Sequence, residues 1–160
     1  MVEITNPSPM FYGVGGAPIA AQDGAIVRLD ASGAVHLTSS VTEQGQGTDT
    51  ILAQIAADVL GLQAEDIRVH TGDTAHMPYG GGTWASRGAG IGGEAMRAAS
   101  AALRDQILDL AGAVLQCPPG ALALAGGAIV DATTATPRLS MHDLASMVDF
   151  RGTELHAGQA

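Results

Sequence analysis

The sequence predicts an α+β domain in which helices pack on one face of a mixed sheet. Two observations indicate this class: short stretches of β-favouring residues are bounded by turn residues, and two longer stretches carry apolar residues every three or four positions. Their order is two strands, a helix, a strand, a long loop, a second helix, two strands and a short last helix. With 160 residues, 46% of them hydrophobic and 14% charged, the chain suits one domain with a packed core.

The first half of the chain predicts a hairpin, a helix and a strand. In the stretch GAIVRLDASGAVHLTSS, residues 30–33 supply the turn of the hairpin. Its β-favouring apolar positions are Ile26, Val35 and Leu37. A helix is expected over Thr48–Leu60, and Gly61 provides its C-terminal stop. The apolar stripe of this helix is Ile51, Leu52, Ile55, Val59 and Leu60. The stretch DIRVHTGD then reads as a short strand that ends in a turn.

The second half predicts a longer helix, a hairpin and a last helix. The longer helix is expected over Gly93–Leu115. Its stripe is Met96, Ala99, Leu103, Ile107, Leu110 and Val114. A hairpin follows with Gly126 and Gly127 at its turn. The last helix is predicted from a capping box that begins at Ser140, with Leu139 and Leu144 placed as a hydrophobic staple.

The domain boundaries follow from where these patterns begin and end. Residues 1–12 are polar and interrupted by prolines, and we expect a linker or an incoming arm there. Residues 13–150 form the predicted domain, and residues 151–160 are expected to be a linker or tail.

The charge balance excludes several classes of partner. The chain has no lysine and only seven arginines against 16 acidic residues, so its formal net charge is −9. Nucleic acid and acidic membrane surfaces both require clustered cations and are not expected partners. No apolar stretch is long enough to span a membrane, and the N-terminal residues do not have the pattern of a signal peptide. Cys117 is the only cysteine, which fits a reducing compartment, and we expect a cytoplasmic protein.

Two glycine-rich loops each run into a helix. The first, here called the glutamine loop, is residues 42–47 (TEQGQG), and the second lies within residues 72–93, where no core-forming period survives. A helix start offers unpaired N–H groups that favour anions such as a pyrophosphate, and Gln44 and Gln46 add amide groups. Neither loop carries a known nucleotide-binding pattern. From spacing alone, ligand binding and tight turns remain equal alternatives.

Four blocks in this region resemble a known family in their order and spacing. They are the Gln-Gly-Gln-Gly block, the helix AQIAADVLG, the Gly-Asp-Thr turn, and the block Gly-Thr-Trp-Ala-Ser-Arg. Residues 42–87 resemble the molybdenum-cofactor-binding segment of the xanthine dehydrogenase and aldehyde oxidase family. The similarity is greatest to the aerobic carbon monoxide dehydrogenase-like large subunits of bacteria, and it extends over residues 13–150.

The resemblance implies a set of cofactor-binding residues. The cofactor would be molybdopterin, commonly in its cytosine dinucleotide form, with molybdenum. One side of the site would consist of Gln44, Gly45, Gln46, Gly47 and Thr50. The second would be Thr83, Trp84, Ala85, Ser86 and Arg87, with Trp84 and Ala85 nearest the substrate. The implied chemistry is hydroxylation of an aldehyde, heterocycle or similar small molecule with oxygen derived from water.

The chain departs from the family pattern in ways that limit what it can do alone. The family's general base is a glutamate in a Gly-x-Gly-Glu block, and neither Glu94 nor Glu154 stands in the expected place, so no catalytic residue is predicted. The expected partners are therefore the remaining large-subunit segments and iron–sulfur and flavin subunits or domains. We expect a split subunit, a truncated product or a fragment that is inactive and holds no cofactor tightly by itself.

Two other functions remain open on the sequence: a non-catalytic interaction or assembly module, and an independent binder of a small ligand. Single residues also carry alternatives. His70 and His76 invite a metal site, but turn polarity is favoured, and Asp73 is expected to bond its own turn. Arg87 is expected to pair with a phosphate or carboxylate, the alternative being a surface ion pair. Trp84 is expected to line a pocket, and Cys117 to be a small buried apolar residue.

Overall fold

A computed structural model describes residues 10–12, 18–20, 22–84 and 86–150; for residues 10–12, 18–20 and 148–150 it describes the backbone alone. The α-helices of this part are α1 (Thr48–Leu60), α2 (Gly93–Leu115) and α3 (Met141–Phe150). The strands are β1 (Met10–Tyr12), β2 (Pro18–Ala20), β3 (Ala25–Leu29), β4 (Val35–Ser39), β5 (Ile67–Thr71), β6 (Leu122–Ala125), β7 (Ala128–Asp131) and β8 (Pro137–Ser140). The predicted α+β class is confirmed. No helix in the described ranges is both long and apolar enough to cross a membrane.

The central sheet is mixed and has the strand order β3-β4-β5. β3 and β4 form the predicted antiparallel hairpin, and β5 runs parallel to β4. A parallel neighbour requires a crossover, and α1 supplies it between β4 and β5. The side chains of Val27 and Leu37 point into the core, whereas Ile26, predicted as a β-favouring apolar position, faces the opposite side of the sheet. Strand alternation decides this, because Ala25, Val27 and Leu29 are the buried set.

Helices α1 and α2 cover one face of this sheet, as the sequence predicts. In α2 the expected positions Met96, Ala99, Leu103 and Ile107 are fully buried. In α1 the buried stripe includes Leu52 and Leu60 but is otherwise made of small residues: Ala53, Ala56 and Ala57. Alanines at these positions let the two helices approach closely, and Ile51, Ile55 and Val59 lie at the half-buried edge.

A second, antiparallel sheet forms separately from β6, β7 and β8. The predicted hairpin turn at Gly126 and Gly127 is present, and both residues have positive φ. The strand β8 is not predicted from the sequence, because it begins at a proline and its first residues are exposed. The helix α3 begins at the predicted capping box, where the Asp143 N–H donates to Ser140 Oγ (3.0 Å).

β1 and β2 form a two-stranded antiparallel sheet near the chain start. β1 lies within residues 1–12, for which a linker or arm is expected. The other residues of that range, together with residues 13–17, 21 and 151–160, lie outside the described part of the chain. The domain boundaries therefore stay a prediction.

The long loop expected over residues 72–93 is irregular only as far as Arg87. Gly88–Gly92 form a π-helical turn that continues directly into α2. The sequence does not predict this turn, because three glycines in five residues disfavour a helix. Packing requires one of these glycines. A Cβ at Gly92 would lie 2.6 Å from Val41 Cγ2, at the point where the turn passes the base of the glutamine loop.

Candidate functional site

The glutamine loop places the carboxylate of Glu43 over the start of α1. Glu43 Oε1 accepts from the N–H groups of Gly45 (2.6 Å) and Gly47 (3.0 Å), and Oε2 accepts from Asp49 N–H (3.1 Å). These hydrogen bonds, that from Asp49 first, hold the pKa of Glu43 below its ordinary value. In this conformation the protein's own carboxylate therefore occupies the N–H of Asp49 at the helix start and those of Gly45 and Gly47 in the loop, and anion binding here stays a prediction.

The two glutamines of the loop have different surroundings. Gln46 Oε1 accepts from the N–H of Gln44 (2.6 Å), and Gln46 Nε2 donates to Thr48 Oγ1 (2.6 Å) and to Thr42 O (3.3 Å). Gln44 Nε2 makes one long contact, 3.4 Å, with the carbonyl oxygen of Thr83. Both glutamines are exposed, but the amide of Gln46 shapes the loop as well as facing solvent.

The backbone of the glutamine loop is bare toward solvent. Gly45 and Gly47 have φ values of +93° and +81°, which L side chains rarely adopt. A Cβ placed on either residue would meet no atom within 4 Å. The glycines are thus required by backbone conformation, and the space beside them is open to a ligand.

A pair of threonines joins the glutamine loop to the second loop. Thr42 N–H donates to Thr83 Oγ1 (2.7 Å), and the Thr83 hydroxyl lies 2.9 Å from Thr42 O. Together with the contact from Gln44, these bonds fix Thr83 against the loop that precedes α1. The two segments that the sequence singled out therefore lie side by side.

The segment that contains Thr83 is here called the tryptophan loop (residues 80–87). Ser86 is exposed and has a φ of 57°, a left-handed conformation that is uncommon outside glycine. Trp84 is half-buried, and its Nε1 donates to the carbonyl oxygen of Gly81 (2.7 Å). Ala85 lies outside the described residues. Thr50, on the first turn of α1, is exposed.

Arg87 is buried and does not reach the surface of either loop. Its side chain and that of Asp23 are both 0% exposed, and Arg87 Nη2 lies 2.8 Å from Asp23 Oδ2. The same nitrogen donates to the carbonyl oxygen of Gln22 (2.9 Å). Of the predicted partners, a phosphate or a carboxylate, the structure shows a carboxylate, and it is an internal one below the loop rather than part of a surface ion pair.

Asp23 and Ser40 belong to the same internal cluster and were not predicted from the sequence. The Ser40 hydroxyl donates to Asp23 Oδ1 (2.9 Å) and accepts from Gly24 N–H (2.9 Å). Burial raises the pKa of Asp23, and the hydrogen bond from Ser40 and the charge of Arg87 act in the opposite direction. The sequence signal for this cluster is the polarity of Asp23 two residues before β3.

The histidines that invited a metal site lie on the far side of the central sheet. An open groove of about 660 Å³ there is lined by residues that include His36, His70 and His76. His36 Nδ1 and His70 Nε2 are 3.1 Å apart, and His36 Nε2 lies 2.9 Å from Asp30 Oδ2. The two imidazole planes differ by 7°, and the 5.4 Å between their centroids is close to the N···N distance plus one ring radius at each end.

The imidazoles of His36 and His70 are therefore nearly coplanar and meet edge to edge through one N–H···N contact, which leaves no room for a metal ion between them. His76 pairs instead with Asp73 (2.8 Å), whose other oxygen accepts from Ala75 N–H, as expected for a turn aspartate. Within the described ranges, no group of three or more His, Cys, Asp or Glu side chains is arranged to hold a metal ion. Cys117 is partly buried against the core.

Comparison with known proteins connects the two joined loops with a family. The family model of the molybdopterin cofactor-binding domain matches residues 7–159. The chain belongs to this family. The chain also matches solved structures of oxidoreductases. The crystal structure of quinoline 2-oxidoreductase from Pseudomonas putida 86 superposes with a TM-score of 0.77 at 35% identity, covering 86% of this chain and 17% of that one.

Curated relatives of this molybdopterin-binding domain are large subunits of oxidoreductases. The nicotine 6-hydroxylase large subunit of Paenarthrobacter nicotinovorans is 35% identical over 157 residues, which are 98% of this chain and 19% of the relative. The xanthine dehydrogenase molybdenum-binding subunit of Escherichia coli O157:H7 is 34% identical over 139 residues, 84% of this chain and 18% of the relative. The chain thus spans less than a fifth of the length of these relatives.

Proposed function

We propose that this chain forms one wall of the molybdenum-cofactor site of a molybdenum hydroxylase. The observation that carries the proposal is the direct joining of the glutamine loop to the tryptophan loop through Thr42 and Thr83. Two loops distant in sequence but fixed side by side give a continuous exposed surface of amide and hydroxyl groups. Such a surface suits a large polar ligand better than isolated turns would.

The residues present fit one side of a molybdopterin. Gln44, Gln46 and Ser86 are exposed, so their amide and hydroxyl groups can supply hydrogen bonds, and bare backbone at Gly45 and Gly47 permits close approach. The anionic tail would have to bind beside the Glu43 carboxylate or displace it from the N–H groups. Arg87 offers no charge to the tail in this conformation, because it is buried against Asp23.

When bound, the cofactor supplies the redox chemistry by which a small molecule is hydroxylated with oxygen from water. The role of this chain is to bind and orient the cofactor through Gln44, Gly45, Gln46, Gly47 and Thr50 on one side. The other side is Thr83, Trp84, Ala85 and Ser86. The tail is proposed to carry a cytosine nucleotide, and the substrate to be an aldehyde, a heterocycle or a similar small molecule.

The complete enzyme is proposed to need further polypeptide. One wall does not enclose a cofactor, and enclosure provides most of the affinity for a buried ligand. We propose that the remaining large-subunit segments complete the site and supply the general base, and that iron–sulfur and flavin subunits accept the electrons in the cytoplasm. The isolated chain is then inactive and retains no molybdopterin through purification.

The test is the molybdenum and nucleotide content of the chain purified with its native partners from cells supplied with molybdate. Elemental analysis is expected to give molybdenum in proportion to the chain, and acid hydrolysis to release a cytosine nucleotide. The Gln46→Glu variant keeps an acceptor for Gln44 N–H, removes the donor to Thr48 and Thr42, and places a negative charge beside the anionic tail. The cofactor content of this variant should be lower by about tenfold or more, which is the effect expected when a charge-assisted hydrogen bond is lost.

Gln63→Glu is the matched control, because it makes the same change at an exposed position outside both loops. Its molybdenum content should equal that of the unmodified complex. Absence of molybdenum from the native complex would contradict the proposal and favour an assembly module. Equal losses in the two variants would contradict the assignment of the glutamine loop.

A further inference from the structure

Beneath the tryptophan loop, the guanidinium of Arg87 lies against the indole of Trp84. Its central carbon is 5.0 Å from the ring centroid, within the range of a cation–π contact. The Arg87 side chain is held there by Asp23 Oδ2 and by the carbonyl oxygen of Gln22. The charge is therefore fixed on the side of the ring that faces the protein.

A second set of bonds holds the same cluster to the central sheet. Ser40, directly after β4, donates to Asp23 and accepts from Gly24 N–H at the entry to β3. A Cβ at Gly80 would overlap Ser40 Oγ and lie 2.6 Å from Asp23 Oδ1, so the tryptophan loop passes directly over this pair. The ion pair of Asp23 and Arg87 therefore lies between the central sheet and the tryptophan loop.

The indole is also restrained at its nitrogen. Trp84 Nε1 donates to the carbonyl oxygen of Gly81, and Gly81 N–H donates to the carbonyl oxygen of Gln22 (3.0 Å). That carbonyl also accepts from Arg87. The carbonyl group of Gln22 therefore connects Arg87, which lies on the face of the indole ring, with Gly81, which binds the indole nitrogen.

We propose that Asp23 and Arg87 are positioning residues that set the orientation of Trp84 in the wall of the cofactor site. This inference rests on the proposed function for the role of Trp84, and it assigns Arg87 to the support of the wall rather than to contact with an anion. Arginine suits this place because its planar group can lie along the ring while Nη2 bonds two oxygens. A lysine ammonium can donate to two oxygens but has no planar group to lie along the ring.

The intrinsic fluorescence and near-ultraviolet circular dichroism of the full chain test the proposal, because Trp84 is the only tryptophan. Arg87→Lys is expected to weaken the tryptophan dichroism bands and to raise the acrylamide quenching constant by about twofold or more, since the indole gains freedom. The far-ultraviolet spectrum should stay that of a folded chain. Arg97→Lys is the matched control, because it alters an exposed ion pair with Glu94 and should leave every tryptophan signal unchanged.

Asp23→Asn provides a second variant if Arg87→Lys does not fold. It keeps the shape of the side chain and the bond from Ser40 but removes the charge that orients Arg87, so a smaller change in the same direction is expected. Unchanged dichroism and quenching in a folded Arg87→Lys or Asp23→Asn chain would overturn the proposal. The measurement needs no cofactor, so failure of the proposed function would leave this result standing on its own.

Discussion

Glu43 neutralises the start of α1 from a position outside the helix, with its two carboxylate oxygens shared among the N–H groups of Gly45, Gly47 and Asp49. A carboxylate stabilises the positive end of the helix dipole and satisfies donors that would otherwise need water. The glutamine loop thereby has a defined conformation before any ligand binds. A ligand that binds this surface meets a preformed backbone.

This arrangement predicts a pH dependence of the glutamine loop. The folded-state pKa of Glu43 is lowered from 4.5, so its stabilising bonds are fully present above pH 4.5 and are lost as the pH falls through the folded-state pKa. Hydrogen-exchange protection factors of the Gly45, Gly47 and Asp49 amides should therefore fall below pH 4.5. In Glu43→Gln they should be low throughout and nearly independent of pH.

The Leu62 amide is the internal control, because it donates to Ala57 O at the other end of α1 and does not contact Glu43. The protection factor of the Leu62 amide should stay high in the pH range in which the protection factors of the loop amides have decreased. Parallel loss at both ends of the helix would mean that acid unfolds the whole domain and that Glu43 has no local role.

At the residue scale, the sequence predicts the chemical role of a side chain better than it predicts which residue that side chain pairs with. The amides of Gln44 and Gln46 and the turn role of Asp73 could be anticipated, because each depends on near neighbours in the chain. The pairing of Arg87 with Asp23 could not, since 64 positions separate the two residues and only the fold brings them together. A rare cation in an acidic chain suggests a ligand until its burial is known.

At the scale of elements, the turn that leads into α2 packs directly against the base of the glutamine loop, with no space for an added methyl group at Gly92. Gly92→Ala would place a methyl group 2.6 Å from Val41 Cγ2, and Val41 is buried and stiff at χ1. Overpacking costs about 1–3 kcal/mol, while alanine gains up to about 1 kcal/mol in helix propensity. We therefore expect a net loss of stability in urea unfolding.

Gly88→Ala is the matched control in the same π-helical turn, because its Cβ would meet only Thr48 Oγ1, at 3.7 Å. It should be neutral or stabilising by up to about 1 kcal/mol. If both variants shift the unfolding midpoint equally, the contact with Val41 does not explain the glycine at position 92.

The helices were the most predictable elements, and the strands the least. The periodic stripes of α1 and α2 fix both helices locally, Gly61 marks the end of α1, and the capping box marks the start of α3. β8 escaped prediction because it begins with a proline, its first two residues are exposed, and Leu139 is its one contact with the core. The separation of β6, β7 and β8 into their own sheet depends on packing that no local pattern records.

At the scale of the whole molecule, the chain has two unlike surfaces on either side of its central sheet. The helical side carries the core, the opposite side carries the groove with His36 and His70, and the glutamine loop lies between the end of β4 and the start of α1, where Asp49 borders the groove. The resemblance anticipated the first surface through ordered sequence blocks. It did not anticipate the groove, whose residues come from the three strands of the central sheet, the turn after β5 and the first turn of α1.

The central claim is that the glutamine loop and the tryptophan loop act as one surface for the cofactor. The most direct measurement is hydrogen–deuterium exchange of the assembled complex, prepared from cells that make molybdopterin and from cells that do not. We predict that residues 42–48 and 80–88 gain protection together when the cofactor is present, while residues 67–71 on the groove side do not change. Protection of only one loop, or a gain centred on residues 67–71, would contradict it.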